Sequence, residues 1–206
     1  MKAELDHLAI VAAPLAAGVA SVEDALGVTM APGGEHPLMG THNRLLSLGP
    51  DEYLEVIAID PKAPAPGRAR WFGLDGLAGR PLPGAWVVRV PDLDAALERA
   101  PDGAGVPLDL ARGDLRWRMA VPESGVLPFD GLFPALIAWQ AAAHPAPRLP
   151  DLGLRLCALR VVHPRAAALR AALVPVIQDS RIEVVEGASP ALEVVFDTPA
   201  GRRRLV

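Results

Sequence analysis

A chain of 206 residues, 51% hydrophobic and 21% charged, can bury a sizeable core as one large domain or two tightly packed halves. Its net charge of −4 leaves no electrostatic footprint for nucleic acid, and the one basic run, Arg202-Arg203-Arg204, reads as the solvated face of a terminal strand. The single cysteine, Cys157, excludes an intrachain disulfide, no uncharged apolar run is long enough to span a membrane, and the first residues lack a signal-peptide pattern. The expected setting is therefore the cytoplasm, with no nucleic-acid or membrane partner.

In chain order, residues 4–12 are rich in Ile, Val and Leu and read as a strand with Leu5, His7, Ala9 and Val11 on one face and Leu8 and Ile10 on the other. Pro14 opens a helix carrying Leu15, Val19, Val22 and Leu26 at helical spacing, which Gly27 closes. After an irregular stretch over residues 30–40, the runs 43–48 and 53–59 flank Gly49-Pro50-Asp51 and predict a hairpin. Glu55 stands in the middle of its second strand, where a buried carboxylate needs a cationic or hydrogen-bonding partner.

Residues 61–83, rich in Pro, Gly and Arg with Trp71-Phe72-Gly73 embedded, read as a connection lying on an apolar surface. Then the opening pattern returns. Residues 85–90 form a strand, Pro91-Asp92-Leu93 opens a helix through Ala100, and residues 115–121 and 134–140 form further strands. A third copy starts at Leu154, with strands over 156–162, 181–186 and 192–197 and a helix after Pro164. Leu54-Glu55-Val56-Ile57 and Leu192-Glu193-Val194-Val195 are nearly the same text, so internal repetition is the main architectural signal. The expected organisation is a single body over 1–206, with β-α-β-β-β units at 4–60 and 84–141 and a third, partial or shortened unit at 154–206.

Leu5-Asp6-His7-Leu8, Gly40-Thr41-His42-Asn43-Arg44-Leu45 and Tyr53-Leu54-Glu55-Val56-Ile57, followed by Trp139 and His144-Pro145, resemble the vicinal oxygen chelate superfamily, the glyoxalase and extradiol dioxygenase group, and in it the glyoxalase-like branch. The resemblance implies an α+β fold whose units pair into a cup-shaped mixed sheet with helices outside. It further implies a divalent metal (Zn, Mn, Ni or Fe) in the cup, held by a first-strand His or Gln and a last-strand Glu. His7 and Glu55 match those two positions, and the period-two count groups His7 with Leu5 and Ala9 and Glu55 with Tyr53 and Ile57, faces that a concave surface would accept. Unit two places Ala85 and then Ile137 or Ala138 in the matching slots, and unit three places Cys157 and Glu193 there, so which units pair stays open.

The site expected on these grounds has His7, His42 and Glu55 as metal ligands, Glu55 and His144 as catalytic groups, and Asn43, Arg116, Arg118 and Trp139 against substrate. Several bland alternatives stand beside it. His7 and Glu55 could simply pair with each other or with an arginine, and only one of His42 and Asn43 can face the cup if their strand is regular. His144 could be an exposed loop histidine, and Arg116 and Arg118 a solvated face rather than a clamp for a substrate carboxylate. Two functions fit: a lyase or isomerase of the glyoxalase type acting on a small oxygenated substrate, or a metal-free protein that binds a drug-like or aromatic ligand against Trp71, Trp86, Trp117 or Trp139. A homodimer could complete the cavity.

Overall fold

The structure, a computed structural model, describes residues 3–140 and 143–206; the expected unit boundary at Ala141 lies outside them. Its first half comprises β1 (Glu4–Val11), α1 (Leu15–Leu26), β2 (Ala31–His36), β3 (Thr41–Ser47) and β4 (Tyr53–Ile59), the strands hydrogen-bonded in the order β2-β3-β4-β1. The second comprises β5 (Leu82–Arg89), α2 (Leu93–Leu97), β6 (Val106–Arg112), β7 (Leu115–Val121) and β8 (Ala135–Trp139), and its strands run in the reverse order, β5-β8-β7-β6. In each half the first strand pairs parallel with the last, and β1 pairs antiparallel with β5. One eight-stranded mixed sheet results. Its edge strands β2 and β6 come into contact, so the sheet curls into a cup, the α+β architecture that the resemblance implies.

Side-chain alternation sorts the strands into two faces. Leu8, Ile10, Leu54, Val56, Trp86, Val88 and Leu136 point to the convex side and join one large core. Ala9, Val11, Ile57, Ala85, Val87, Trp117, Met119, Ala135 and Ile137 point into the cup, which Trp71 and Leu74 of the helical turn Trp71–Gly76 cover. Helix α1 lies on the convex face through Gly18, where a Cβ would stand 2.5 Å from both the Ala12 and Val56 side chains. Overpacking a tight contact of this kind costs about 1–3 kcal/mol, so Gly18→Val is expected to lower the unfolding free energy measured by urea titration by that amount while leaving the far-UV circular dichroism of the folded protein unchanged.

A second sheet covers the rest of the convex face: β9 (Arg155–His163), β10 (Ile182–Glu186), β11 (Ala191–Thr198) and β12 (Gly201–Leu205), in the order β10-β9-β11-β12, with α3 (Ala166–Leu173) after β9. Here the textual repeat does not carry over into topology. β9 pairs parallel with β10 and antiparallel with β11, whereas β1 pairs parallel with β4, so Glu193 does not occupy the place of Glu55. Glu193 instead pairs with Arg160 and Arg204 on the outer face of this sheet, and Cys157 lies half-buried in β9. The cup belongs to the first two halves alone.

Two local expectations are corrected, and one stretch without a sequence reading proves to be a strand. Residues 31–36 form strand β2, and residues 106–112 form β6, although both stretches contain proline, which a sheet tolerates at its edges. Helix α2 stops at Leu97 rather than Ala100. The bonds from Arg99 N–H to Ala96 and from Ala100 N–H to Leu97 tighten the chain into turns ahead of Pro101.

Candidate functional site

The polar centre of the cup begins with an irregularity in β1. Against β5, Leu5 pairs with Val88 and His7 with Val87, which leaves Asp6 as the extra residue of a β-bulge. A regular strand would send adjacent side chains to opposite faces; the bulge lets Asp6 and His7 serve one cluster. Asp6 is fully buried and accepts three hydrogen bonds, from His7 Nδ1 at 2.6 Å, Trp139 Nε1 at 2.9 Å and His144 Nε2 at 3.0 Å. Burial opposes its charge, but the hydrogen bonds from His144 and His7 outweigh burial and hold the Asp6 carboxyl well below the usual carboxylate range.

With Nδ1 fixed by Asp6, the His7 ring stacks on Tyr53, centroids 4.4 Å apart, and presents Nε2 to Glu55 Oε1 across 3.6 Å. That gap is longer than a hydrogen bond. Burial disfavours the imidazolium, yet the Asp6 hydrogen bond and the facing Glu55 carboxylate hold the His7 pKa up at about 9. The charge of Glu55 is favoured in turn: burial works against it, and His7 together with the hydrogen bond from Asn43 Nδ2 to Oε2, 2.7 Å long, brings its pKa below the ordinary value. One Glu55 oxygen is therefore committed to Asn43 and the other faces the cavity.

A second group comes from the two edge strands. His36, at the end of β2, sits 3.1 Å from Thr41 Oγ1 through Nδ1 and 3.3 Å from Arg112 Nη1 through Nε2. Burial, reinforced by the Arg112 charge, brings His36 down to about 4 against the pull of Glu55, so the ring is neutral. Because Arg112 can only donate, His36 Nε2 accepts and its proton resides on Nδ1, directed to Thr41. Arg112 also donates to Asn43 Oδ1 at 3.2 Å, which ties the edge of the second half to the polar centre of the first. His7, His36, Asn43, Tyr53, Glu55 and Arg112 together with Trp71, Phe72, Trp117, Met119, Ile137 and Trp139 enclose a cavity of about 30 Å³.

The structure thus gathers His7, Glu55, Asn43 and Trp139 at the cavity and leaves four expected residues away from its wall. In β3, Asn43 is buried and faces the cup, so alternation turns the neighbouring His42 aside. His144 stands behind the site: its Nδ1 accepts from the Ala146 N–H and its Nε2 donates to Asp6. Arg118 pairs with Asp94 of α2 on the convex side, and Arg116 bonds the backbone carbonyls of Gly113 and Leu115. Asp6, His36 and Arg112 are the residues that sequence reasoning missed. The first hid behind the bulge, and the other two lie at the ends of proline-containing edge strands.

The divalent ion implied by the resemblance does not fit the residues present. Three or four ligands hold ions of this type, and among the described residues no three His, Cys, Asp or Glu side chains group in a way that could hold one. The matching positions of the second half, Ala85 and Ile137, are apolar, and in place of further ligands that half contributes the Arg112 guanidinium.

A cup of two four-stranded halves joined through their first strands, with a first-strand histidine facing a last-strand glutamate, defines a protein of the vicinal oxygen chelate class. Within that class the chain belongs to the glyoxalase-like domain family, whose model matches residues 5–177. Among solved structures it is similar to a hypothetical protein from Staphylococcus aureus at 11% identity, with a TM-score of 0.64 and coverage of 93% of this chain and 88% of that one. It is also similar to the methylmalonyl-CoA epimerase of Mycobacterium tuberculosis at 20% identity, TM-score 0.43, covering 68% of this chain and 88% of that one. A Streptomyces coelicolor methylmalonyl-CoA epimerase variant matches at 17% identity, TM-score 0.45, covering 66% and 97%. No curated protein matches the chain.

Proposed function

We propose that the cavity is an acid–base site, working without a bound metal, that moves a proton at a carbon next to a carbonyl in a small oxygenated substrate, as lyases and isomerases do. The observation that carries this reading is the pair formed by Glu55 Oε1 and His7 Nε2, separated by 3.6 Å at the wall of one cavity with their other polar atoms already committed to Asn43 and Asp6. Glu55 takes the proton as the C–H bond breaks, and the electron pair moves onto the carbonyl oxygen. His7 Nε2–H donates to that oxygen, so no bare enolate charge builds up in the buried site. Return of the two protons restores the starting groups.

Drug-sized ligands occupy pockets of about 300 Å³ or more, so a cavity of about 30 Å³ argues against sequestration of a larger aromatic molecule. The test is loss of the α-proton signal when the protein is incubated with small carbonyl compounds in D2O and followed by proton NMR. Exchange above the buffer rate supports the reading, and a panel of oxo acids, oxo amides and ketones that all exchange at the buffer rate overturns it. Protein purified without chelator is further expected to contain well under one divalent ion per chain, with exchange unchanged by EDTA. Elemental analysis giving one tightly held ion per chain, lost in His7→Ala, would return the site to metal-dependent chemistry.

A further inference from the structure

The hydrogen-bonding capacity around the cavity is unbalanced toward donors. Trp71 is 4% exposed, and its buried indole N–H has no acceptor among the described residues. Arg112 spends only Nη1, on Asn43 Oδ1 and His36 Nε2, and among the described residues no carboxylate pairs with it. Two of the neighbouring acceptors are already used, Asn43 Oδ1 by the Gly34 N–H at 2.9 Å as well and Glu55 Oε2 by Asn43 Nδ2, which leaves Glu55 Oε1, facing His7, as the free carboxylate oxygen. Both unspent donors flank one side chain, since the His36 ring meets Trp71 edge-on at 5.2 Å and touches Arg112 through Nε2. The arginine stem is placed deliberately close, because a Cβ at Gly34 would stand 2.6 Å from Arg112 Cδ.

A carboxylate satisfies a guanidinium and an orphaned N–H at once, since it brings two acceptor oxygens and the charge that an unpaired guanidinium favours. Resting on the proton-transfer reading above, we propose that Arg112 and Trp71 anchor the carboxylate of a small 2-oxo acid, which leaves its keto oxygen for His7 and its C3 hydrogens for Glu55. Arg116 and Arg118, expected from the sequence to hold a substrate carboxylate, lie away from the cavity, and Arg112 takes that task.

Calorimetric titration of the full chain with pyruvate and with its neutral amide, 2-oxopropanamide, tests the anchor without relying on turnover. Pyruvate is expected to bind at least tenfold more tightly than the amide. Arg112→Ala removes that preference, and Arg112→Lys, which keeps the charge and loses the fork, retains part of it; circular dichroism and melting establish that each variant is folded. Equal affinity for acid and amide, no binding of pyruvate, or a folded Arg112→Ala protein that still prefers the acid overturns the proposal. The two readings fail separately. Arg112-dependent binding of pyruvate without deuterium exchange leaves the anchor standing and removes the proton transfer, whereas exchange of acid and amide at equal rates in wild type and Arg112→Ala removes the anchor alone.

Discussion

Replacing Glu55 by glutamine lowers the α-proton exchange rate by at least about a hundredfold, the span that one positioned general base contributes. The amide keeps the size of the side chain and an oxygen for Asn43 Nδ2, so the packing of β3 on β4 survives, but it cannot accept a proton from carbon. Because burial works against the Glu55 charge and the His7 and Asn43 contacts more than restore it, the base is already ionised at neutral pH. The acid limb of the rate profile therefore lies below the ordinary glutamate value. The alkaline limb falls near pH 9, where His7 loses the proton that it donates to the substrate oxygen. Deuterium exchange measured from pH 3 to 10 in wild type and Glu55→Gln checks both points. A glutamine variant that exchanges at the wild-type rate removes Glu55 from the chemistry.

Much of this centre can be read from sequence because it follows period two. His7 and Glu55 both line the cavity, as the period-two count allows, although Leu5, counted on the face of His7, joins the convex core on the other side of the bulge. Adjacency decides between His42 and Asn43 once β3 is known to be regular, although the sequence does not say which of the two points inward.

What alternation misses is set by irregular or long-range structure. By period two Asp6 belongs to the face opposite His7, but the bulge against β5 re-aims it, and a bulge depends on the partner strand as much as on the local text. His36 and Arg112 sit at the ends of Ala-Pro-Gly-Gly-Glu-His and Val-Pro-Leu-Asp-Leu-Ala-Arg, which have little intrinsic strand preference. They become strands because they lie at the two edges of a curled sheet whose edges meet. In the other direction, the shared Leu-Glu-Val text of β4 and β11 suggests an equivalence that strand order removes: one pairs parallel with its unit's first strand and the other antiparallel.

Asp6→Ala is expected to cost about 3–5 kcal/mol of stability, the range for removing one partner of a buried ionic cluster. The loss exceeds that of an ordinary ion pair because three side chains from three separate stretches, His7 of β1, Trp139 of β8 and His144, all donate to this one carboxylate. Without it, the indole N–H of the half-buried Trp139 and the ring nitrogens His7 Nδ1 and His144 Nε2 lose their acceptor. The pH dependence of stability separates this role from simple cavity formation. The Asp6 pKa is depressed on folding, so its contribution is present above the ordinary carboxylate range and is lost only as the pH falls toward the lowered folded value. The His7 pKa is raised from 6.5 to about 9, so its contribution is complete below about pH 6.5 and disappears as the pH rises through about 9. Removing Asp6 takes away the hydrogen bond that most favours the imidazolium, so the alkaline loss of stability in Asp6→Ala begins at lower pH than in wild type. Urea unfolding at intervals between pH 5 and 10 gives both quantities, and a variant that matches wild type in midpoint and in pH profile shows that Asp6 holds nothing in place.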